Sequence, residues 1–207
     1  MELQESIPNL NTNITGKGNT LVLPETVSLR KVELFVNGTG NTVTIGENTN
    51  LKNVFIEIKG NNNKVYIGAK CKIQGHILLK GNRQVVKIGS KTTFQHNVYL
   101  LASENKNITI GRDCMFSNNI DVRTTDAHSI VDAETGVRTN LAKDVEIGHH
   151  VWISAGALIS KGAAIPDNCI VGGRSVVTKR FDEPNCTLAG TPAKVVNKGV
   201  NWDRKRL

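Results

Sequence analysis

Residues 145–179 read VEIGHHVWISAGALISKGAAIPDNCIVGGRSVVTK, and in them Ile147, Ile153, Ile159, Ile165, Val171 and Val177 recur every six residues. Two positions before each stands Val145, Val151, Ala157, Ala163, Cys169 or Ser175, mostly small. Directly after each comes Gly148, Ser154, Ser160, Pro166, Gly172 or Thr178. A period of six suits neither an amphipathic helix nor a simple alternating strand. It suits a prism in which each face takes six residues, one aliphatic side chain points inward, and a turn follows. Three such faces make an 18-residue coil.

The N-terminal half repeats at a longer period. ITGKGNTLVL (14–23), VNGTGNTVTI (36–45), IKGNNNKVYI (58–67), LKGNRQVVKI (79–88) and LASENKNITI (101–110) align without gaps, and their last residues lie 22, 22, 21 and 22 apart. Each unit reads as strand, Gly/Asn turn, strand. Separate hairpins need no constant period. Stacked coils do, because each buries its apolar edge only against its neighbours. We read these units as the same coil with wider corners. The expected fold is therefore all-β: eight or nine coils of parallel strands about 4.8 Å apart, a rod about 40 Å long. Its open ends need covering against edge-to-edge pairing, and the polar N-terminus and the C-terminal segment are the expected caps. The chain divides into a β-helix over 1–180, with a loop over 123–142, and a capping segment over 181–207. Spacing alone leaves the handedness open.

One interval breaks the period. From Ile110 to Ile147 there are 37 residues, one coil plus about 15 to 19, and the excess matches RTTDAHSIVDAETGVRTN (123–140). A long extruded loop in a compact domain is usually functional. In a threefold assembly it can reach over a neighbouring prism.

Bulk properties narrow the class. The 207 residues are 39% apolar but only 4% aromatic, so the core rests on aliphatic side chains and tight turns. No run approaches the ~18 apolar residues of a membrane span, and the N-terminus lacks the pattern of an export signal, which makes the cytoplasm the default location. Cys71, Cys114, Cys169 and Cys186 have no short paired spacing and read as free, buried thiols. The net charge of +8 favours a polyanion or a phosphorylated ligand, with a plain solubility surface as the alternative. The basic residues are scattered without an aromatic platform, which argues against nucleic acid.

DVEIGHHVWISAGALISKGAAIPDNCIVGGRSVVTKRF followed by LAGTPAKVV resembles the hexapeptide-repeat acyltransferases, which fold as left-handed parallel β-helices. DAHSIVDAETGVRTN resembles the branch that O-acetylates bacterial sugars, including capsular and lipopolysaccharide polymers such as polysialic acid. The likeness is specific from about Cys114 to Arg204. It implies a homotrimer, acetyl-CoA in the groove between neighbouring prisms, and catalysis without a metal.

Carried over residue by residue, the resemblance makes His128 the general base, a role that suits an imidazole titrating near neutrality. The alternative is an ordinary loop histidine. Trp152 is implied to line the acetyl and acceptor site with His128; a subunit-interface anchor is the other reading. Asp121 and Asp126 are near enough in sequence to orient the imidazole, and either reads equally well as a turn residue. For acetyl-CoA the match runs through Ala155, Gly156, Gly172, Gly173, Thr178, Lys179, Arg180, Pro192 and Lys194. The small residues let a pantetheine arm approach the backbone, and the cations reach its phosphates. Arg174 stands where the family usually has a small residue. FQHN (94–97) and FSNN (116–119) are offset by 22 residues, which should stack Gln95 and His96 beside Asn118 and Asn119 as an acceptor-binding corner. His149 and His150 read as a corner rather than a metal site, since adjacent residues of an extended chain point opposite ways.

The expected function is acetyl transfer from acetyl-CoA to a sugar hydroxyl, with a surface polysaccharide, such as a sialic acid polymer, as saccharide acceptor. Two alternatives stay open. One is an acetyltransferase for an antibiotic or a nucleotide-linked amino sugar, and the other is a non-catalytic β-helical carbohydrate-binding protein.

Overall fold

Ile45, Ile67, Ile88, Ile110, Ile147 and Ile165 stand directly on one another in the interior, each paired in register with the next through parallel strands. None is more than 3% exposed. The column passes the 37-residue interval without a break, because Ile110 pairs directly with Ile147. The structure is a computed structural model that describes residues 7–206. The first six residues of the expected N-terminal cap lie outside the described residues.

The chain winds about eight turns of a three-sided parallel β-solenoid, and no helix occurs among the described residues. In the upper coils, face one is built from Thr93–Phe94, Met115–Phe116, Trp152–Ile153, Ile170–Val171 and Cys186–Gly190. Face two is built from Val98–Ser103, Ile120–Arg123, Leu158–Ile159 and Val176–Val177. Face three takes Val85–Ile88, Ile108–Ile110, Val145–Ile147 and Ala164–Ile165. In the lower coils Ser28–Asn37, Asn50–Lys59 and Lys72–Lys80 bend around the first corner and serve faces one and two together. The six-residue rule is visible in the pairing. Ile153 meets Val171 on face one, Ile159 meets Val177 on face two, and Ile147 meets Ile165 on face three.

Polar ladders turn the corners. Asn63 donates to the carbonyl of Gly81 at 2.8 Å and accepts from the amide of Gln84 at 2.9 Å. Its own amide donates to the side chain of Asn41 at 2.9 Å, and Asn41 repeats the pattern one coil below. This is why each wide coil carries an Asn or Gln after its turn: the side chain satisfies backbone groups that the corner removes from the sheet. Asn63 is fully buried. Asn63→Ala should therefore cost about 1–3 kcal/mol in urea unfolding, the cost of stranding buried polar groups.

A second corner explains the cysteines. Cys71 and Cys114 alternate with Thr49 and Thr92, and each thiol donates to a glycine carbonyl of the next coil, at 3.3 Å and 3.1 Å. Burial pushes the Cys71 thiol up to about 11 and the Cys114 thiol up to about 12. These are structural groups rather than nucleophiles. Glycine serves the same corner, where a Cβ on Gly46 would come within 2.4 Å of the Ala69 amide nitrogen.

Candidate active site

The insertion leaves the prism where face two turns into face three. Lys143 N donates to Thr124 O at 3.0 Å, which closes residues 125–142 into a loop pinched at its base. Three clasps hold it. Arg138 grips Glu104 of the coil below through both guanidinium ends, at 2.6 and 3.0 Å. Lys161 of the coil above pairs with Asp126. Asn140 is buried at the centre: it donates to Asp126 at 2.8 Å and to the His128 carbonyl at 2.8 Å, and accepts from Ile130 N at 2.7 Å. Farther out, the Asp132 carboxylate accepts from Glu134 N and Thr135 N to form the turn.

This framework presents His128 to solvent. Its backbone is fixed on both sides, with His128 N donating to Asp126 O at 2.8 Å. Ala127 just before it takes φ 67°, a left-handed conformation unfavourable for a residue with a Cβ. The two acids that could orient the imidazole are engaged elsewhere. Arg123 holds Asp121, Nε to Oδ1 2.9 Å, and Lys161 with Asn140 holds Asp126. Asp126 thus shapes the loop rather than the ring.

The clasps respond to acid. Hydrogen bonds from Arg138 and then Thr125 hold the Glu104 carboxyl below its ordinary value, and Lys161 does the same for Asp126. Carboxylates depressed in the folded state contribute stability that is present above their ordinary value, near 4, and lost as the pH falls through their lowered values. Pepsin should accordingly nick residues 126–142 slowly near pH 4 and faster with each step below it. In Arg138→Ala the onset should move to higher pH.

The remaining candidates fall on two different edges. Between faces one and two, Asn119 N donates to His96 O, Gly156 N to Asn118 O and Arg174 N to Ala155 O, at 3.1, 3.0 and 2.9 Å. His96, Asn118, Asn119, Ala155, Gly156, Gly173 and Arg174 therefore share one ladder. Pro192 tops it, in the turn joining Cys186–Gly190 to Ala193–Lys198, where Gly190 N donates to Ser175 Oγ at 3.1 Å. Lys194 leaves that turn exposed. The expected stack at FQHN and FSNN forms in the 22-residue register, which brings His96 beside Asn118 but does not put Gln95 beside either asparagine. Gln95 lies beside Ser117, and it is Asn97 that donates to Asn119, at 3.0 Å. The side-chain oxygen of Asn118 is shielded and has no partner among the described residues.

Thr178 and Lys179 lie on the edge between faces two and three, above Ser160 and Lys161 and so above the root of the His128 loop, whereas Arg180 begins face three in register with Ala164. Arg180 also reaches Glu146 on face three at 2.8 Å. The two edges of one coil are separated by face two, Gly156 to Lys161, roughly 16 Å of extended chain.

Trp152 sits in the middle of face one, away from the loop of its own chain. Sequence reasoning missed what covers it. The C-terminal segment folds back down the prism, and Trp202 stacks on His150 at 4.2 Å and 9°, with Trp152 at 6.3 Å. Trp202 Nε1 donates to His150 O at 2.8 Å. Arg204 ties the strap to Thr93 Oγ1, Cys114 O and Asp113, at 3.0, 2.9 and 3.0 Å. Burial works against the Asp113 charge, but bonds from His150 and Arg204 outweigh it and hold the carboxyl below its usual value. Trp202 is the second of only two tryptophans, which was its one signal in the sequence.

Comparison with known proteins fixes the hand of the prism. The structure of the polysialic acid O-acetyltransferase OatWY superposes with a TM-score of 0.91 at 37% identity, over 96% of this chain and 92% of that one. The polysialic acid-specific acetyltransferase NeuO superposes with a TM-score of 0.87 at 29% identity, over 95% and 90%. The fold is the left-handed parallel β-helix of the acyltransferases. A polysialic acid O-acetyltransferase of Neisseria meningitidis is 38% identical over 109 residues, 53% of this chain and 51% of the relative. One from Escherichia coli O1:K1 is 34% identical over 105 residues, 50% and 34%. The matched regions thus span about half or less of these curated relatives. No family model matches the chain. The chain belongs to the hexapeptide-repeat acyltransferases, in the polysialic acid O-acetyltransferase branch.

Proposed function

We propose that the protein transfers acetyl from acetyl-CoA to a hydroxyl of an anionic surface polysaccharide, as a cytoplasmic homotrimer with His128 as general base. The observation that carries this reading is the clasped loop, which spends an arginine, a lysine and a buried asparagine on presenting one unengaged imidazole. His128 accepts the hydroxyl proton as the sugar oxygen attacks the thioester carbonyl. The C–O bond forms, the C–S bond breaks, and the proton passes to the departing thiolate. The amides of Ser154 and Gly156 are engaged in the solenoid, which leaves the Ala155 amide between them as the candidate donor for the oxyanion.

The small edge residues suit acetyl-CoA. Ala155, Gly156 and Gly173 are exposed, and a Cβ on Gly173 would meet nothing nearer than Ala155 O at 3.5 Å, so the backbone lies open to a ligand. Arg174, Lys179 and Lys194 supply exposed cations for its phosphates.

The split between edges supports a site shared between copies, as in a trimer. One narrow groove cannot touch two edges roughly 16 Å apart on one prism, but one copy's first edge can meet its neighbour's second. Face two then turns inward: in its outer row Phe55, His76 and Tyr99 form a ladder at 5.7 and 6.2 Å, Asp121 follows with its charge paired to Arg123, and half-buried Leu158 and Val176 continue the row upward. The loop also exposes Ile130, Val131, Val137 and Leu141, each at least half exposed. Such a patch on a single chain marks a contact surface.

The test is thiol release from acetyl-CoA with polysialic acid, other capsular and lipopolysaccharide fragments, an antibiotic, and nucleotide-linked amino sugars. Release with an anionic polymer is the expected result. Release with the antibiotic or amino sugars alone would overturn the acceptor. Absence of a thermal shift with acetyl-CoA would overturn catalysis.

A further inference from the structure

Face one continues far below Trp152, and its outward side chains there are not required by acetyl transfer. Trp152 itself heads a row that descends in register through Met115 and Thr93 to Lys72 and Asn50. Beside it, toward the edge with face two, run Ser154, Ser117, Gln95, Gln74, Lys52 and Arg30. The upper part of this track offers hydroxyls and amides, and the lower part offers cations. None of these outward positions, and neither of the lower row's neighbours Ser28 and Lys31, is a carboxylate.

The lower end carries an electrostatic cost. Arg30 and Lys52 stand directly opposite each other on adjacent parallel strands, about 4.8 Å apart, an arrangement that is destabilising for like charges. Lys31 adds a third exposed cation at the edge and Lys72 a fourth one coil higher. Among the described residues none of the four has an ion-pair partner. Elsewhere cations are paired in part: Lys59 pairs with Glu57 at 2.8 Å and Arg180 with Glu146 at 2.8 Å, while Lys80, Lys64 and Lys87 have no ion-pair partner among the described residues. What distinguishes Arg30, Lys31, Lys52 and Lys72 is that four such cations gather on the face that carries Trp152. An unneutralised cluster on the same face as Trp152 is open to an anion that arrives with the substrate.

We propose that face one of the N-terminal coils is a binding track for an anionic polysaccharide, running from Trp152 down to Arg30, Lys31, Lys52 and Lys72. This rests on the acetyl-transfer reading and extends it from one sugar to a chain. The track spans six rungs, about 24 Å from first to last, enough for several sugar units. While one unit presents its hydroxyl beside Trp152, the carboxylates of units farther along meet the cations, and the Gln and Ser side chains between them take hydroxyls and amides. The C-terminal strap, ending on Thr93 through Arg204, walls the opposite side of the upper track. A single-stranded nucleic acid fits less well, since such grooves rely on successive aromatic platforms, and below Trp152 the track has none.

The test uses the full chain and the double variant Arg30→Gln/Lys52→Gln, with polysialic acid of graded length as probe. Calorimetric binding without acetyl-CoA should weaken about tenfold for long chains, and KM for long chains should rise in parallel. Turnover at saturation, KM for short oligomers and acetyl-CoA affinity should stay unchanged. Arg30→Lys/Lys52→Arg, which keeps both charges, should bind like the parent. Unchanged affinity for long chains would overturn the proposal, as would equal losses for short and long acceptors. Single-stranded RNA bound as tightly as the glycan and lost in the same variant would also overturn it, by marking an unselective polyanion surface. The two readings fail separately. Polymer binding that needs these cations without acetyl transfer would sink only the transferase reading, whereas acetyl transfer without length dependence would sink only the track.

Discussion

Replacing His128 with Ala is expected to lower turnover by about two to four orders of magnitude, the scale of losing a general base, while acetyl-CoA binding and thermal stability stay near those of the parent. The separation follows from how the loop is built. Everything that fixes the segment near His128 runs through its backbone or through Asn140, Asp126, Lys161, Arg138 and Glu104. The imidazole is exposed and supports none of these contacts, so removing it leaves the loop's path intact. The acetyl-CoA candidates lie on the prism edges, where no change is expected. Steady-state thiol release gives kcat, and calorimetry gives the ligand affinity. Near-normal kcat would place the base on another residue. A matched fall in kcat and in melting temperature would instead make His128 a structural residue.

Much of this was readable from periodicity, because a solenoid repeats its physics. The six-residue spacing of Ile147 to Val177 requires an inward aliphatic once per face, and the 22-residue spacing of the Gly/Asn turns requires a buried amide at each wide corner. Both are local rules applied coil after coil. The 37-residue interval was legible for the same reason, as a departure from a rule. Features that occur once were not legible. The strap joins Trp202 to His150 and Arg204 to Thr93, across 52 and 111 residues, with no repeat to announce it. Asp126 and Asp121 looked like partners for His128 because they are close in sequence. Only the fold brings Lys161 and Arg123 to them first. The assignment of Ala155 and Thr178 to different edges likewise needs the count of residues around each coil rather than a motif.

That assignment yields the second large effect, a rescue. Trp152→Ala and His128→Ala should each be nearly inactive alone, yet mixing the two and letting subunits exchange should restore activity. Trp152 lies on face one beside the edge that carries Ala155 and Gly156, whereas His128 springs from the edge that carries Thr178 and Lys179. If each site joins the first edge of one copy to the second edge of its neighbour, a His128→Ala copy still supplies an intact Trp152, and a Trp152→Ala copy an intact His128. With equal amounts and random exchange in a cyclic trimer, about one quarter of the sites pair the two intact edges, so activity should approach about a quarter of the parent's. Before exchange, both samples should stay inactive. Sites completed within one chain would show no recovery, since each copy carries its defect into every site it forms. The same arrangement makes face two the closing surface. Leu158→Asp with Val176→Asp adds two unpaired charges above Asp121 in its outer row, and the protein should then sediment as a single chain and lose transfer. Binding of the polymer to face one, which needs no neighbour, should survive in that variant.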